Sequence, residues 1–300
     1  MDLGVLSTKA SLYSTRRIVE SAQRRGHGVR VLDHTRCSGV LGPDGPAIRY
    51  GGALIEPLDA VIPRIGSSVT AHGAAIVRQF EVMGVVTVTR SLAIRRARDK
   101  LRALQILSRK RIPIPRTAFA RRPADADGIT AEVGGPPVVI KVIEGTQGVG
   151  VVLAETRAAA VAVIEAFNHA NLSFIVQEYV AEAAGRDLRA LIVDGEVVAA
   201  MERRAHGDDF RANLHRGGTA VPMLLTADEK AIAVRAARVL GLGVCGVDML
   251  RSQRGPVVIE VNASPGLRGI ESTTGIDVAD RIVAYVERQV GRARKRPKTA

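Results

Sequence analysis

The first 95 residues alternate short β-branched runs with amphipathic segments of helical period, a pattern that buries its apolar faces only as a parallel sheet covered by helices. Residues 3–6 read as a strand, 14–25 as a helix stopped by Gly26, and 29–32 as the next strand. A second cycle follows, with a strand and loop at 59–66, a helix at 70–83 and a strand at 85–88. The first strand-to-helix turn has no GxGxxG fingerprint, so a dinucleotide fold is not supported.

The pattern then changes. One basic helix is expected from Ser91 to Lys110, ended by Pro113 and Pro115. Two β-branched runs, 138–142 and 149–153, flank a glycine-rich turn and read as an antiparallel pair. Thr156 caps a helix reaching His169, and 173–179 is a buried strand. A hairpin joins 188–193 to 197–202 through Asp194-Gly195. Thr226 with Glu229 is a capping box for a helix ending at Leu240 and Gly241. A last hairpin pairs 244–250 with 257–261. The fold class is therefore α/β followed by α+β. A chain of 300 residues, 46% apolar and 24% charged, buries about 75% of its unfolded surface, which excludes disorder. No apolar run reaches about 18 residues, which argues against a membrane partner, and no signal-peptide pattern opens the chain. Two cysteines, Cys37 and Cys245, make no disulfide framework, so a reducing cytoplasm is expected.

The last hairpin carries the strongest chemical signal. Glu260 and Asn262 are two apart on one strand and share a face. A turn centred near Gln253 and Arg254 puts Asp248 opposite Glu260, giving three oxygen donors suited to a hard divalent cation bound with a nucleoside triphosphate. Solvated strand faces with chance carboxylates are the alternative. The segment Glu144 to Gly150 has glycines at 145, 148 and 150, just after Lys141. Such a loop admits anionic oxygens to backbone amides, and an inward-facing lysine needs an anion; an ordinary hairpin turn is the plainer reading. Arg203, Arg204, Arg211 and Arg216, with Asn213 and His215 between them, suit bidentate binding of phosphate or carboxylate, or else make a solvated loop. Arg95, Arg96, Arg98, Lys100 and Arg102 read as a basic face of one helix, either solvated or in contact with RNA. Aromatics at 3% with no Trp offer no base-stacking platform, which weighs against a purely RNA-binding role.

Charge is uneven. Residues 1–99 hold 14 basic and 8 acidic groups, 100–291 hold 24 and 22, and Arg292, Arg294, Lys295, Arg296 and Lys298 form an unopposed tail within a net +13. An acidic partner is expected.

The series Lys100, VIKVIEGTQGVGV, VQEYV, ERRA, FRANLHRGG, GVDML and IEVNASPG resembles the ATP-grasp ligases, and within them the RimK group, which adds glutamate to a small-subunit ribosomal protein. The resemblance implies an ATP-grasp fold with a Rossmann-like pre-grasp domain at 1–95, a central subdomain at 96–176, a C-terminal subdomain at 177–290 and a basic tail at 291–300. It implies nucleotide contacts from Lys100, Lys141, Gly148, Glu178, Tyr179, Asp187, Arg211 and Asn213, and roles for Arg203 and Arg211 in the chemistry. Asp248, Glu260 and Asn262 would be ligands of Mg²⁺ or Mn²⁺, two ions being expected. It further implies an acyl-phosphate route, free L-glutamate, an acceptor with an acidic C-terminal tail (ribosomal protein small-subunit six) and a symmetric homo-oligomer such as a tetramer. Two alternatives remain at this stage: an amino-acid ligase acting on a small-molecule carboxylate, and a non-catalytic ribosome-binding protein.

Overall fold

The computed structural model describes residues 1–120, 126–143, 150–207, 209–212 and 217–295. The first domain contains β1 (Asp2–Leu6), α1 (Tyr13–Arg24), β2 (Gly28–Leu32), β3 (Cys37–Val40), β4 (Ala47–Tyr50), β5 (Ala53–Leu54), β6 (Ala60–Pro63), α2 (Thr70–Val82) and β7 (Val86–Thr87). The central part comprises α3 (Ser91–Arg98), α4 (Lys100–Arg109), β8 (Thr117–Ala118), α5 (Ala126–Glu132), β9 (Val138–Val142), β10 (Val151–Ala154), α6 (Arg157–His169) and β11 (Phe174–Glu178). The last part comprises β12 (Arg186–Val193), β13 (Glu196–Arg204), β14 (Thr219–Pro222), α7 (Ala227–Leu240), β15 (Val244–Ser252), β16 (Gly255–Asn262), α8 (Arg268–Thr274) and α9 (Val278–Lys295).

The expected parallel sheet forms in the order β2-β1-β6-β7. Alternation along its strands divides two cores. Leu3, Val5, Ala60 and Ile62 pack with Ile18 and Ala22 of α1 and with Val283 and Val286 of α9. Leu6 and Val61 point the other way, onto Ile76, Val77 and Phe80 of α2. Gly26 sits at φ +75°, a left-handed stop that suits glycine. The meander β3-β4-β5 was not anticipated, because residues 37–54 are rich in glycine and proline and their strands are short.

The five-stranded sheet β14-β13-β12-β15-β16 packs α7 on one face and α8 and α9 on the other. Its apolar residues Leu191, Val193, Met201 and Val244 share a core with β1 and α1 of the first domain and with the C-terminal α9, so the two ends of the chain are fused. The sheet β10-β9-β11-β8 with α5 and α6 has a core of its own, from Ala126 to Val176. No described helix is long and apolar enough to cross a membrane.

Two expectations need correction. The basic helix is two helices: Asp99 adopts φ −81° and ψ 101°, and its side chain accepts the backbone N–H of Arg102, capping α4. Capping stabilises a helix start by about 1 kcal/mol, enough to fix a break that periodicity alone conceals. The tail is in part helical: α9 reaches Lys295, Arg294 meets Asp59 at 2.7 Å and Arg292 lies 3.8 Å from Asp194. Its arginines continue the amphipathic face that buries Val283, Val286 and Val290 and oppose the negative end of the helix dipole. Arg296 and Lys298 lie outside the described residues.

Candidate active site

The β15–β16 hairpin turns at Gln253 and Arg254 and pairs Asp248 with Glu260, and Gly246 with Asn262. The carboxyl groups therefore stand opposite each other on one face. Their surroundings differ sharply. Asp248 is 3% exposed and lies in the fork of Arg189, with Nε to Oδ1 at 2.7 Å and Nη2 to Oδ2 at 2.6 Å. Arg203 reaches the same Oδ2 at 2.9 Å and holds Asp187 bidentately at 2.6 and 2.7 Å. Burial opposes ionisation of Asp248, but the two guanidiniums outweigh it and hold its carboxyl down at about 2. Asp187, buried beside that charge, is pushed up, with Arg203 opposing the shift.

Glu260 is exposed, and cations from three parts of the chain surround it: its charge bears on Arg98 of α3, Lys100 of α4 and Lys141 of β9. The break at Asp99 makes Lys100 the first residue of α4, and its Nζ donates to the Ile143 carbonyl at 3.2 Å, where β9 ends. Lys141 donates to Gln177 Oε1 at 2.5 Å; Gln177 Nε2 donates to Thr117 Oγ1 at 2.9 Å, and Thr117 donates on to the Pro115 carbonyl. This relay fixes the lysine. Burial pushes the Lys141 ammonium down to about 8; Glu260 opposes the shift and Lys100 adds to it. Lys100 is lowered as well, chiefly by burial.

Asp248, Glu260 and Asn262 supply two carboxylates and an amide oxygen, which fits a hard divalent cation. Asp248 Oδ1 carries a single guanidinium contact and keeps a lone pair. Asn262 Oδ1 accepts the backbone N–H of Ser264 at 3.0 Å, which orients the amide. Among the described residues, the open carboxylate of the set is that of Glu260.

The other expected residues are distributed around this centre. The Glu178 carboxylate pairs with Arg254, and Tyr179 meets Phe210 edge-on with ring centroids 6.4 Å apart. Arg211 forks onto Asp209 at 2.9 and 3.0 Å, stacks on Phe210 and donates to the Val151 carbonyl of β10 at 3.2 Å, joining its loop to the central subdomain. Arg203 and Asp187 lie buried behind Asp248. Gly148 and Asn213, together with His215 and Arg216, lie outside the described residues. Sequence reasoning did not find Arg189 or Gln177. The signal for Arg189 was its place two residues after Asp187, on the same face of β12 and opposite Asp248.

Comparison with known proteins identifies relatives along the whole chain. A family model for the RimK-like ATP-grasp domain matches residues 97–286, and one for the RimK pre-ATP-grasp domain matches 1–94. A probable alpha-L-glutamate ligase of Thioalkalivibrio sulfidiphilus is 58% identical over 287 residues, covering 96% of this chain and 95% of the relative. One of Vibrio cholerae serotype O1 is 53% identical over 299 residues, 100% of this chain and 99% of the relative. Among solved structures, the ATP-grasp ligase PsnB, complexed with a phosphomimetic variant of minimal precursor, Mg and ADP, superposes with TM-score 0.74 at 22% identity, over 96% of this chain and 98% of that one. A RimK domain ATP-grasp protein of Sphaerobacter thermophilus gives 0.71 at 23%, over 96% and 100%.

Proposed function

The chain belongs to the RimK-like ATP-grasp family, and from that premise we propose that it is an ATP-dependent α-L-glutamate ligase working through an acyl phosphate. The observation that carries this reading is Glu260, opposite Asp248 and ringed by Lys100, Lys141 and Arg98. A triphosphate brings concentrated negative charge; these cations, drawn from separate parts of the chain, neutralise it when the central subdomain closes.

In the proposed reaction an oxygen of the acceptor carboxylate attacks the γ-phosphorus of ATP and ADP leaves. The amine of L-glutamate then attacks the acyl carbon, loses a proton and expels inorganic phosphate, leaving an amide. Lys141 and Lys100 hold phosphate oxygens; Arg211 ties its loop to β10 over the site. Asp248, Glu260 and Asn262 would hold one or two Mg²⁺ or Mn²⁺ ions, which supply charge neutralisation at the transferring phosphoryl group. Arg203 and Arg189 act behind the ligands by setting Asp248. Glu178, Tyr179 and Asp187, with Gly148 and Asn213, are proposed contacts of the nucleotide. No side-chain nucleophile is required, which agrees with the two cysteines being buried, Cys37 with its thiol pushed up to about 11.

For the acceptor we propose a ribosomal protein with an acidic C-terminal tail, small-subunit protein six, in the cytoplasm and with the enzyme as a homo-oligomer. The net +13 supports an acidic partner. The test is to incubate the chain with ATP, Mg²⁺, each amino acid in turn and a ribosomal protein extract, and to read intact masses. Glutamyl increments on one small acidic protein support the reading; increments with another amino acid, or on none, refute it.

Two further outcomes follow from Lys141. Lys141→Met should weaken ATP binding by at least about tenfold, since it removes a dehydrated charge. Because the lysine titrates near 8 in the free protein, it is cationic below that value and neutral above it. ATP affinity, measured by calorimetry, should therefore fall as pH rises from 7 through 9 in the natural chain, and the slope should flatten in Lys141→Met.

A further inference from the structure

Two arginines beside this site make no salt bridge among the described residues. Arg64, in the loop after β6, donates through Nη2 to the Pro265 carbonyl at 2.6 Å. Arg98, in the last turn of α3, donates through Nη2 to the Ile65 carbonyl at 2.5 Å, and its Nε is buried with no hydrogen-bond partner. Neither guanidinium meets a carboxylate among the described residues, although both are half-buried. They are close enough to repel: burial first, and then the charge of Arg98, push Arg64 down to about 10. Holding two forks together partly out of water, with the buried Arg98 Nε unspent, is costly unless an anion completes them.

The position of the pair indicates which anion. Arg64 is tied to the loop that follows Asn262, and Arg98 feels the charge of Glu260. The pair thus stands on the hairpin side of the cation ring, where the loop after β6 and α3 meet β16 and the loop that follows it. We propose that Arg64 of the first domain and Arg98 of α3 form a carboxylate-binding subsite, holding the acceptor carboxylate beside Glu260 for phosphorylation. The assignment to the acceptor rests on the ligase reading above; the subsite itself does not. Guanidinium forks match a planar carboxylate bidentately and continue to neutralise it once it carries phosphate. The sequence reading put Arg98 on a basic face, solvated or in contact with RNA, because it took α3 and α4 for one helix. The break at Asp99 changes the direction of the chain between Arg98 and Lys100.

The probe is glutarate, a dicarboxylate without an amine, titrated calorimetrically into the full chain and into Arg64→Met, Arg98→Met and, as a control, Arg95→Met, which alters an exposed neighbour on α3. Binding should weaken by about tenfold or more in the first two variants and hold in the third. Equal binding in all four proteins overturns the subsite. Arg64→Lys and Arg98→Lys keep the charge without the fork; they should bind with intermediate affinity and serve in place of any Met variant that does not fold. Steady-state kinetics then identify the source of the carboxylate. A raised KM for the acceptor peptide, with KM for ATP and glutamate unchanged, supports the acceptor assignment; a raised KM for glutamate alone overturns it. If glutarate binding depends on both arginines while no amino acid is ligated, the subsite stands and the ligase reading falls.

Discussion

Glu260→Gln should lower the rate of ligation by at least about a thousandfold while leaving the thermal unfolding midpoint nearly unchanged. The two halves of this expectation have separate causes. Glu260 is exposed and makes no hydrogen bond among the described residues, so its replacement strands no hydrogen-bond partner. Its charge, however, opposes the lowering of Lys141, Lys100 and Arg98 by burial, and the amide removes that support. The variant should therefore also show the pH-dependent loss of ATP affinity at a lower pH than the natural chain. Unchanged turnover would remove Glu260 from the metal set.

Arg203→Met should destabilise the fold by about 3–5 kcal/mol, the largest stability effect expected of a single side chain in the site. Arg203 is 6% exposed and bridges Asp187 and Asp248, both buried, so its loss leaves Asp248 with Arg189 and strips Asp187 of its guanidinium fork. The sign with pH follows. In the natural chain the depressed Asp248 contributes stability above the unfolded carboxyl range near 4, and this is lost as pH falls toward about 2. In the variant Asp248 loses part of that support and Asp187, already raised, is raised further, so the penalty is full near pH 7 and shrinks as pH falls toward 4. Denaturant unfolding of both proteins at pH 7.5 and 5 measures this. An equal difference at the two values would show that the loss is one of packing.

The elements that were legible in the sequence are those fixed by local chemistry. The alternation of β1 and β6 gave two faces and hence two helix layers. Asp194-Gly195 and the Gln253-Arg254 turn set hairpin registers, and the second placed Asp248 opposite Glu260. The capping box of Thr226 and Glu229 marked the start of α7. What escaped depends on residues far apart in the chain. Asp99 breaks a segment whose apolar periodicity continues on both sides. Arg189 reaches Asp248 only because β12 lies beside β15, a pairing that no local pattern specifies. Arg64 and Arg98 become a pair only when β6 and α3 converge on the loop after β16.

The reaction route itself is tested most directly by following oxygen. An acceptor peptide with oxygen-18 in its reacting carboxylate is incubated with the chain, ATP, Mg²⁺ and L-glutamate, and the released phosphate is examined by mass spectrometry. Transfer of one labelled oxygen from the acceptor to inorganic phosphate for each amide formed is the predicted result, because the acyl phosphate retains a carboxylate oxygen that leaves with the phosphate. Amide formation with unlabelled phosphate would contradict it.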